Sequence, residues 1–313
     1  MNYTSHYINK LNNGNNFNNS NLEKVLRLLD VLQFITNELD PSGEKLVLKG
    51  GTAINLIYTN LARLSVDIDL DYVGSIDKVK TRQDRINIIA ALDEYMEDNG
   101  YVISNKSRGS VILESRNYSY INSYGNRDNI KVEINFIDRI HIGPTIQKKI
   151  NYFGKELIVN TCIEEELFAM KICALIDRSK VRDLFDTNIL KEHVPSLNDE
   201  LLRKITIFYM SLDGIYKLDE NTFDILESIS FYNVKTELIQ VLPKNSKFNL
   251  DKVKTDVSSF LKKLLFLNEN EKIYLEEFSK GNYKPELLFN DPYFERANLH
   301  PMAKWREMQN KNY

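Results

Sequence analysis

Residues 46–74 read LVLKGGTAINLIYTNLARLSVDIDLDYVG. An apolar run ends in two glycines, and a β-rich segment then places an aspartate at every second position. In a strand over 66–73, Val66, Ile68, Leu70 and Tyr72 fall on one face and Asp67, Asp69 and Asp71 on the other. Aspartate is a poor strand former and like charges on neighbouring same-face positions repel, so folding alone does not favour the pattern. A divalent cation removes that cost, because Mg²⁺ takes carboxylate oxygens together with substrate phosphate oxygens, and Mn²⁺ suits the same oxygen donors. The plain alternative is a solvated face of an edge strand. An EF-hand loop fails downstream, where Tyr72 stands in place of the sixth-position glycine and Lys78 in place of the twelfth-position glutamate.

Gly50-Gly51-Thr52 sits where a strand, 45–48, hands over to a helix of about three turns, 52–61. Glycines let a phosphate approach the backbone, and a helix start supplies oriented N–H groups. Thr52 adds a hydroxyl able to cap that helix. The G-x-x-x-x-G-K-[ST] pattern is missing, so this is no Walker loop. A plain tight turn is the commoner use of Gly-Gly. A glycine cradle and a carboxylate pair one helix apart suit in-line attack on a nucleoside triphosphate held by a divalent metal. KVEINFID, 131–138, offers a third acid: Val132, Ile134 and Phe136 make a core face, leaving Glu133 opposite, to complete the metal site or accept a proton.

The 313-residue chain has room for two domains with real cores, and its net charge of −3 leaves any nucleic-acid contact to a local basic surface. Cys162 and Cys173 alone make no disulfide framework, which fits a reducing cytoplasm. Nothing approaches membrane-span length. The pattern predicts an α+β architecture in three parts: a flexible Asn-rich arm (1–19), an α/β domain (20–160) and a helical domain (161–313). A capping box, Ser20-x-x-Glu23, should start the first long helix, and Thr161-x-x-Glu164 a later one. A helix over 79–98 precedes strands at 101–104, 110–115, 118–124, 131–138 and 156–160, with Gly125-Asn126 turning a hairpin.

In the helical half, EEELFAMKICALIDRSKVRDLFD puts Lys171 and Arg178 on one helix face, with Asp183 and Asp186 a turn apart. Lys171 either snorkels to solvent or reaches a triphosphate, and a salt-bridged face accounts for the acids. Lys252, Lys254, Lys262 and Lys263 form a basic stripe farther on.

Together LKGGTAINL, RLSVDIDLD, KVEINFID, MKICALIDRSKVRDLFD and the C-terminal PELLF…HPMAKW resemble the AbiEii/AbiGii-type nucleotidyltransferase toxins of bacterial toxin–antitoxin and abortive-infection systems. The resemblance spans most of 45–190 and implies a polymerase-β-like nucleotidyltransferase core followed by a helical domain. Carried over by position, Gly50, Gly51 and Thr52 would hold triphosphate, Asp67 and Asp69 would bind Mg²⁺, and Arg63 and Ser65 would assist at the phosphates. Lys171 would contact nucleotide, with Arg178 as a second cation, and Asp183 would be the acid of the R-D-L-x-D segment. Some members transfer nucleotides to tRNA 3′ ends and block translation, and a partner antitoxin usually neutralises them. Two other readings compete: the same chemistry on a small molecule or protein hydroxyl, and a non-catalytic NTP-binding module. No matching motif covers 200–280, so the acceptor is not specified.

Overall fold

The computed structural model describes residues 3–193, 197–219 and 221–312. Chain order begins α1 (Ser5–Asn12), α2 (Asn19–Phe34), β1 (Leu46–Lys49), α3 (Gly50–Ala53), β2 (Asp67–Tyr72) and α4 (Lys78–Asp98). Strands β3 (Val102–Ile103), β4 (Arg108–Gly109), β5 (Leu113–Ile121), β6 (Arg127–Asn135), β7 (Ile146–Tyr152) and β8 (Lys155–Thr161) follow. Helices α5 (Glu164–Arg178), α6 (Val181–His193) and α7 (Asp199–Leu212) come next, and further helices include Leu250–Leu264 and Glu269–Ser279. Two compact units result: Met1–Arg139 with Ile146–Thr161 and Ile239–Lys247, and Ile140–Thr145 with Cys162–Leu238 and Phe248–Tyr313.

In the first unit, eight strands among the described residues form one sheet in the order β3-β5-β6-β2-β1-β8-β7, with β4 against β5. β1–β8 and β2–β6 run parallel and the other pairs antiparallel. Ile68, Leu70 and Tyr72 of β2 and Val132, Ile134 and Phe136 on and just after β6 are buried, as period-2 patterning requires. Helix α4 buries Ile88, Leu92 and Met96, and its Asp84 accepts from the Tyr72 hydroxyl at 2.6 Å. The second unit is helical, packed around α5 and α7, whose Phe168, Ile172, Ile205 and Phe208 are fully buried.

Several local expectations change. The Asn-rich arm carries α1, with Ile8 fully buried and Phe17 4% exposed. Its asparagines bond one another: Asn12 donates to Asn19 at 2.6 Å and Asn19 to Asn9 at 2.7 Å. Asn18, not Ser20, caps α2, and the buried Glu23 instead receives Arg27 and Ser123. The three-turn helix after the glycines is α3 plus a widened π turn, Ile54–Tyr58. Strands expected at 110–115 and 118–124 are one strand, β5, and β7 is an additional strand. Thr161 ends β8, donating its hydroxyl to the Leu48 carbonyl, while Ile163 flanks the start of α5. Lys254 leaves the basic stripe, buried against Glu227 at 3.0 Å. Among the described residues no helix is long and apolar enough to cross a membrane.

Candidate active site

Strand pairing aligns the charged face. Lys49 lies opposite Asp69 across the antiparallel β1–β2 pair, and Val47 opposite Asp71. Across the parallel β2–β6 pair, Asp67 meets Lys131 and Asp69 meets Glu133. Directly opposed residues share a face, so Lys49, Asp69 and Glu133 make one row, with Asp67 and Asp71 on either side of Asp69.

The glycine turn closes over this row. Gly50 has φ +67°, and a Cβ there would lie 2.3 Å from Asp69 Oδ2. Only glycine takes that conformation without strain and lets the carboxylate approach so closely. A Cβ on Gly51 would lie 2.5 Å from Arg63 Nη2 and 3.0 Å from Ser65 Oγ. The fold thus brings Gly50, Gly51, Arg63, Ser65 and Asp69 together. Asn55 locks the arrangement: its side-chain amide donates to the Gly51 carbonyl at 2.8 Å and its Oδ1 accepts from the Arg63 backbone N–H at 3.2 Å. Arg63 is 2% exposed, with Nη1 donating to the Leu64 carbonyl at 2.9 Å. Thr52 does not cap a helix. It is fully buried, and its hydroxyl donates to the Asp67 carbonyl, fixing the start of the aspartate strand.

The three aspartates are not equivalent. Asp67 and Asp69 are half-buried, whereas Asp71 is buried and ion-paired to Lys49 at 2.5 Å. Burial opposes charge on Lys49, but Asp71, Asp138 and Asp69 outweigh it and hold the ammonium above the usual lysine range. Sequence reading missed Lys49 and Asn55. The signals were a cation closing an apolar strand and an amide on an otherwise apolar helical run. Glu133 is adjacent to Asp69, with its carboxylate 2.7 Å from Lys131 Nζ. Among the described residues no three His, Cys, Asp or Glu side chains are gathered as a metal-binding group. The donor set that fits a cation is the Asp67/Asp69 pair. Mg²⁺ characteristically takes one or two protein carboxylates and completes its shell with water and phosphate oxygens.

In the second unit, Lys171 is 6% exposed and stands 2.9 Å from Asp183 and 3.1 Å from Asp186. Arg178, on the same helix, reaches Asp183 Oδ2 at 2.8 Å. Burial works against the Asp183 charge, but Lys171 and Arg178 prevail and hold its pKa down to about 2. These side chains form one ion cluster, and Lys171 does not snorkel free.

The family model described as nucleotidyl transferase AbiEii toxin, type IV toxin–antitoxin system, matches residues 33–281. Among solved structures the chain is similar to MenT4, a nucleotidyltransferase toxin from Mycobacterium tuberculosis H37Rv, with a TM-score of 0.60 at 14% identity. That match covers 87% of this chain and 93% of the other, and at such identity it speaks to the fold: a mixed-sheet core followed by a helical part. No curated protein sequence matches the chain.

Proposed function

The chain belongs to the AbiEii family of nucleotidyl transferase toxins, and from that premise we propose that it transfers a nucleotide from an NTP to an RNA acceptor, a tRNA 3′ end, and so blocks translation in the cytoplasm. The observation that carries the site assignment is the closure of Gly50 on Asp69 and of Gly51 on Arg63 and Ser65. It gathers a turn without side chains, a cation and a hydroxyl beside an acidic pair, the parts that phosphoryl transfer needs.

Asp67 and Asp69 would hold Mg²⁺ or Mn²⁺, which supplies charge neutralisation at the transferring phosphoryl group. Gly50 and Gly51 leave room for the Asp69 carboxylate and the Arg63 guanidinium to lie against the turn, and Thr52 and Asn55 keep that turn and the aspartate strand in fixed relation. Arg63 and Ser65 face the turn and orient phosphate. Glu133 accepts the proton of the attacking hydroxyl, a role that requires it to release Lys131. Lys171, Arg178 and Asp183 are assigned a role within the second unit, as the ion cluster that ties the end of α5 to α6. An antitoxin partner follows from the type of system.

The test is incubation with each labelled NTP, Mg²⁺ and total cellular RNA, beside Asp69→Asn. Label in the tRNA band with wild type and about 10²–10³-fold less with the variant supports the reading. Label only in a small molecule or in protein refutes the acceptor, and no consumption of any NTP refutes the chemistry.

A further inference from the structure

A face of α4 that nucleotidyl transfer leaves unused borders a groove of about 1120 Å³. One wall is the helix: Lys78, Arg82, Arg85, Ile86, Ile89 and Asp93 line it at spacings that keep to one helical face. That face runs about 22 Å at 1.5 Å per residue. The facing wall is the segment 109–112, from the end of β4 to the residue before β5. Arg85 ties the walls together, donating to Glu114 at 2.7 Å, to the Val111 carbonyl at 2.9 Å and to the Ser110 carbonyl. Its guanidinium also lies 5.2 Å over the Phe136 ring, which floors the groove. The recess is built into the fold.

Its lining has two parts. The middle is aliphatic and open to water, with Ile86 56%, Val111 91% and Ile112 47% exposed. One end is cationic: Lys78 and Arg82 are exposed, and Arg139 lies there with Nη1 on the Ile76 carbonyl at 3.1 Å. The remaining cations are committed, Arg85 to Glu114 and Arg116 to Asp93. In a chain of net charge −3 this groove carries five cations against two carboxylates.

We propose that the groove receives an amphipathic helix of a partner protein, apolar face inward, with acidic residues at the end that meets Lys78, Arg82 and Arg139. Four helical turns span about 22 Å, the length of the α4 face. A helix of that length can lie along it with its polar face in water, the usual helix-in-groove arrangement. Single-stranded nucleic acid fits less well. It needs exposed aromatic faces for base stacking, and the lining aromatic, Phe136, is 3% exposed beneath Arg85.

The test uses the full chain and two labelled 16-residue helical peptides of equal composition. One carries leucines on one face and glutamates at one end, and the other is scrambled. Fluorescence anisotropy should show saturable binding of the patterned peptide alone. Ile86→Glu should weaken it at least tenfold, and Arg82→Glu should weaken it severalfold and flatten its salt dependence. Both positions are exposed, so the thermal transition should stay in place. Failure of the patterned peptide to bind, equal binding of the scrambled one, or indifference to Ile86→Glu overturns the proposal. So does Ile86-dependent uptake of labelled oligouridine or of phosphatidylglycerol vesicles in place of the peptide.

Discussion

Replacing Gly50 by alanine tests the site at its tightest point, and the structure gives the size of the effect. The φ of +67° costs an L-residue about 1–2 kcal/mol, which for a unit this size lowers the thermal midpoint by roughly 2–8 °C. The new Cβ would stand 2.3 Å from Asp69 Oδ2 and 3.0 Å from Asp69 Cβ, about 1 Å short of ordinary contact. Backbone cannot yield cheaply on both sides, so the carboxylate moves. A misplacement of about 1 Å in a catalytic group costs about 10²-fold in rate. Gly50→Ala should therefore fold, melt a few degrees lower, bind Mn²⁺ more weakly in a spin-resonance titration, and transfer nucleotide about 10²-fold more slowly. Gly51→Ala is the internal control. Its Cβ meets the end of the Arg63 side chain, so NTP affinity should fall while Mn²⁺ affinity holds. Should Gly50→Ala keep wild-type Mn²⁺ affinity and rate and lose only stability, the close approach is turn geometry and nothing more.

Other perturbations separate structural charge from working charge. Lys49→Met removes the cation set against Asp71, which is 1% exposed, and should destabilise the first unit by about 3–5 kcal/mol. Calorimetry of Lys49→Met/Asp71→Leu should recover most of that loss, and no recovery would refute the pairing. From sequence alone Lys171→Met should fold normally. The cluster with Asp183 and Asp186 instead predicts a loss of about 3–5 kcal/mol in urea unfolding, and an unchanged midpoint contradicts it. The folded-state pKa of Asp183, about 2, lies below the unfolded value of 3.8. Its contribution, roughly 2 kcal/mol, is then fully present above about pH 4 and lost as pH falls through 2. Urea titrations from pH 5 to 2 should show that slope, and Asp183→Asn should reduce it.

What the sequence made legible was whatever one element states by itself. Period-2 alternation placed Ile68 and Leu70 inward and Asp67 and Asp69 outward, and the same rule sorted Val132 from Glu133. Long-range partners were not legible. Arg116-Asn117 looked like a break between two strands because its polarity suits a loop. The strand runs through because Asp93 of α4 meets Arg116 and Asn129 donates to Asn117 at 3.0 Å. β7 was missed because it is an edge strand whose lysines, Lys148 and Lys149, read as loop charge, a common protection of sheet edges. The Asn-rich terminus read as a flexible arm because composition does not reveal that its amides bond one another.

The same logic explains why the strand carries three aspartates when the proposed metal would take one or two carboxylates. Asp71 on the charged face would add a third repelling carboxylate, were it not for the side chain that ends β1. Lys49 shares a face with Asp69 and Asp71, and the pairing register sets its ammonium against Asp71. The next residue, Gly50, leaves the strand with positive φ and closes on Asp69. One register therefore fixes both relations. Sliding β1 by one residue would turn Leu46 and Leu48 to the charged face and break the Lys49 pair. The internal ion pair penalises that slip and holds the glycine turn where Asp69 needs it. Lys49 and Asp71 act as the lock on this row, and Asp67 and Asp69 are its half-buried carboxylates.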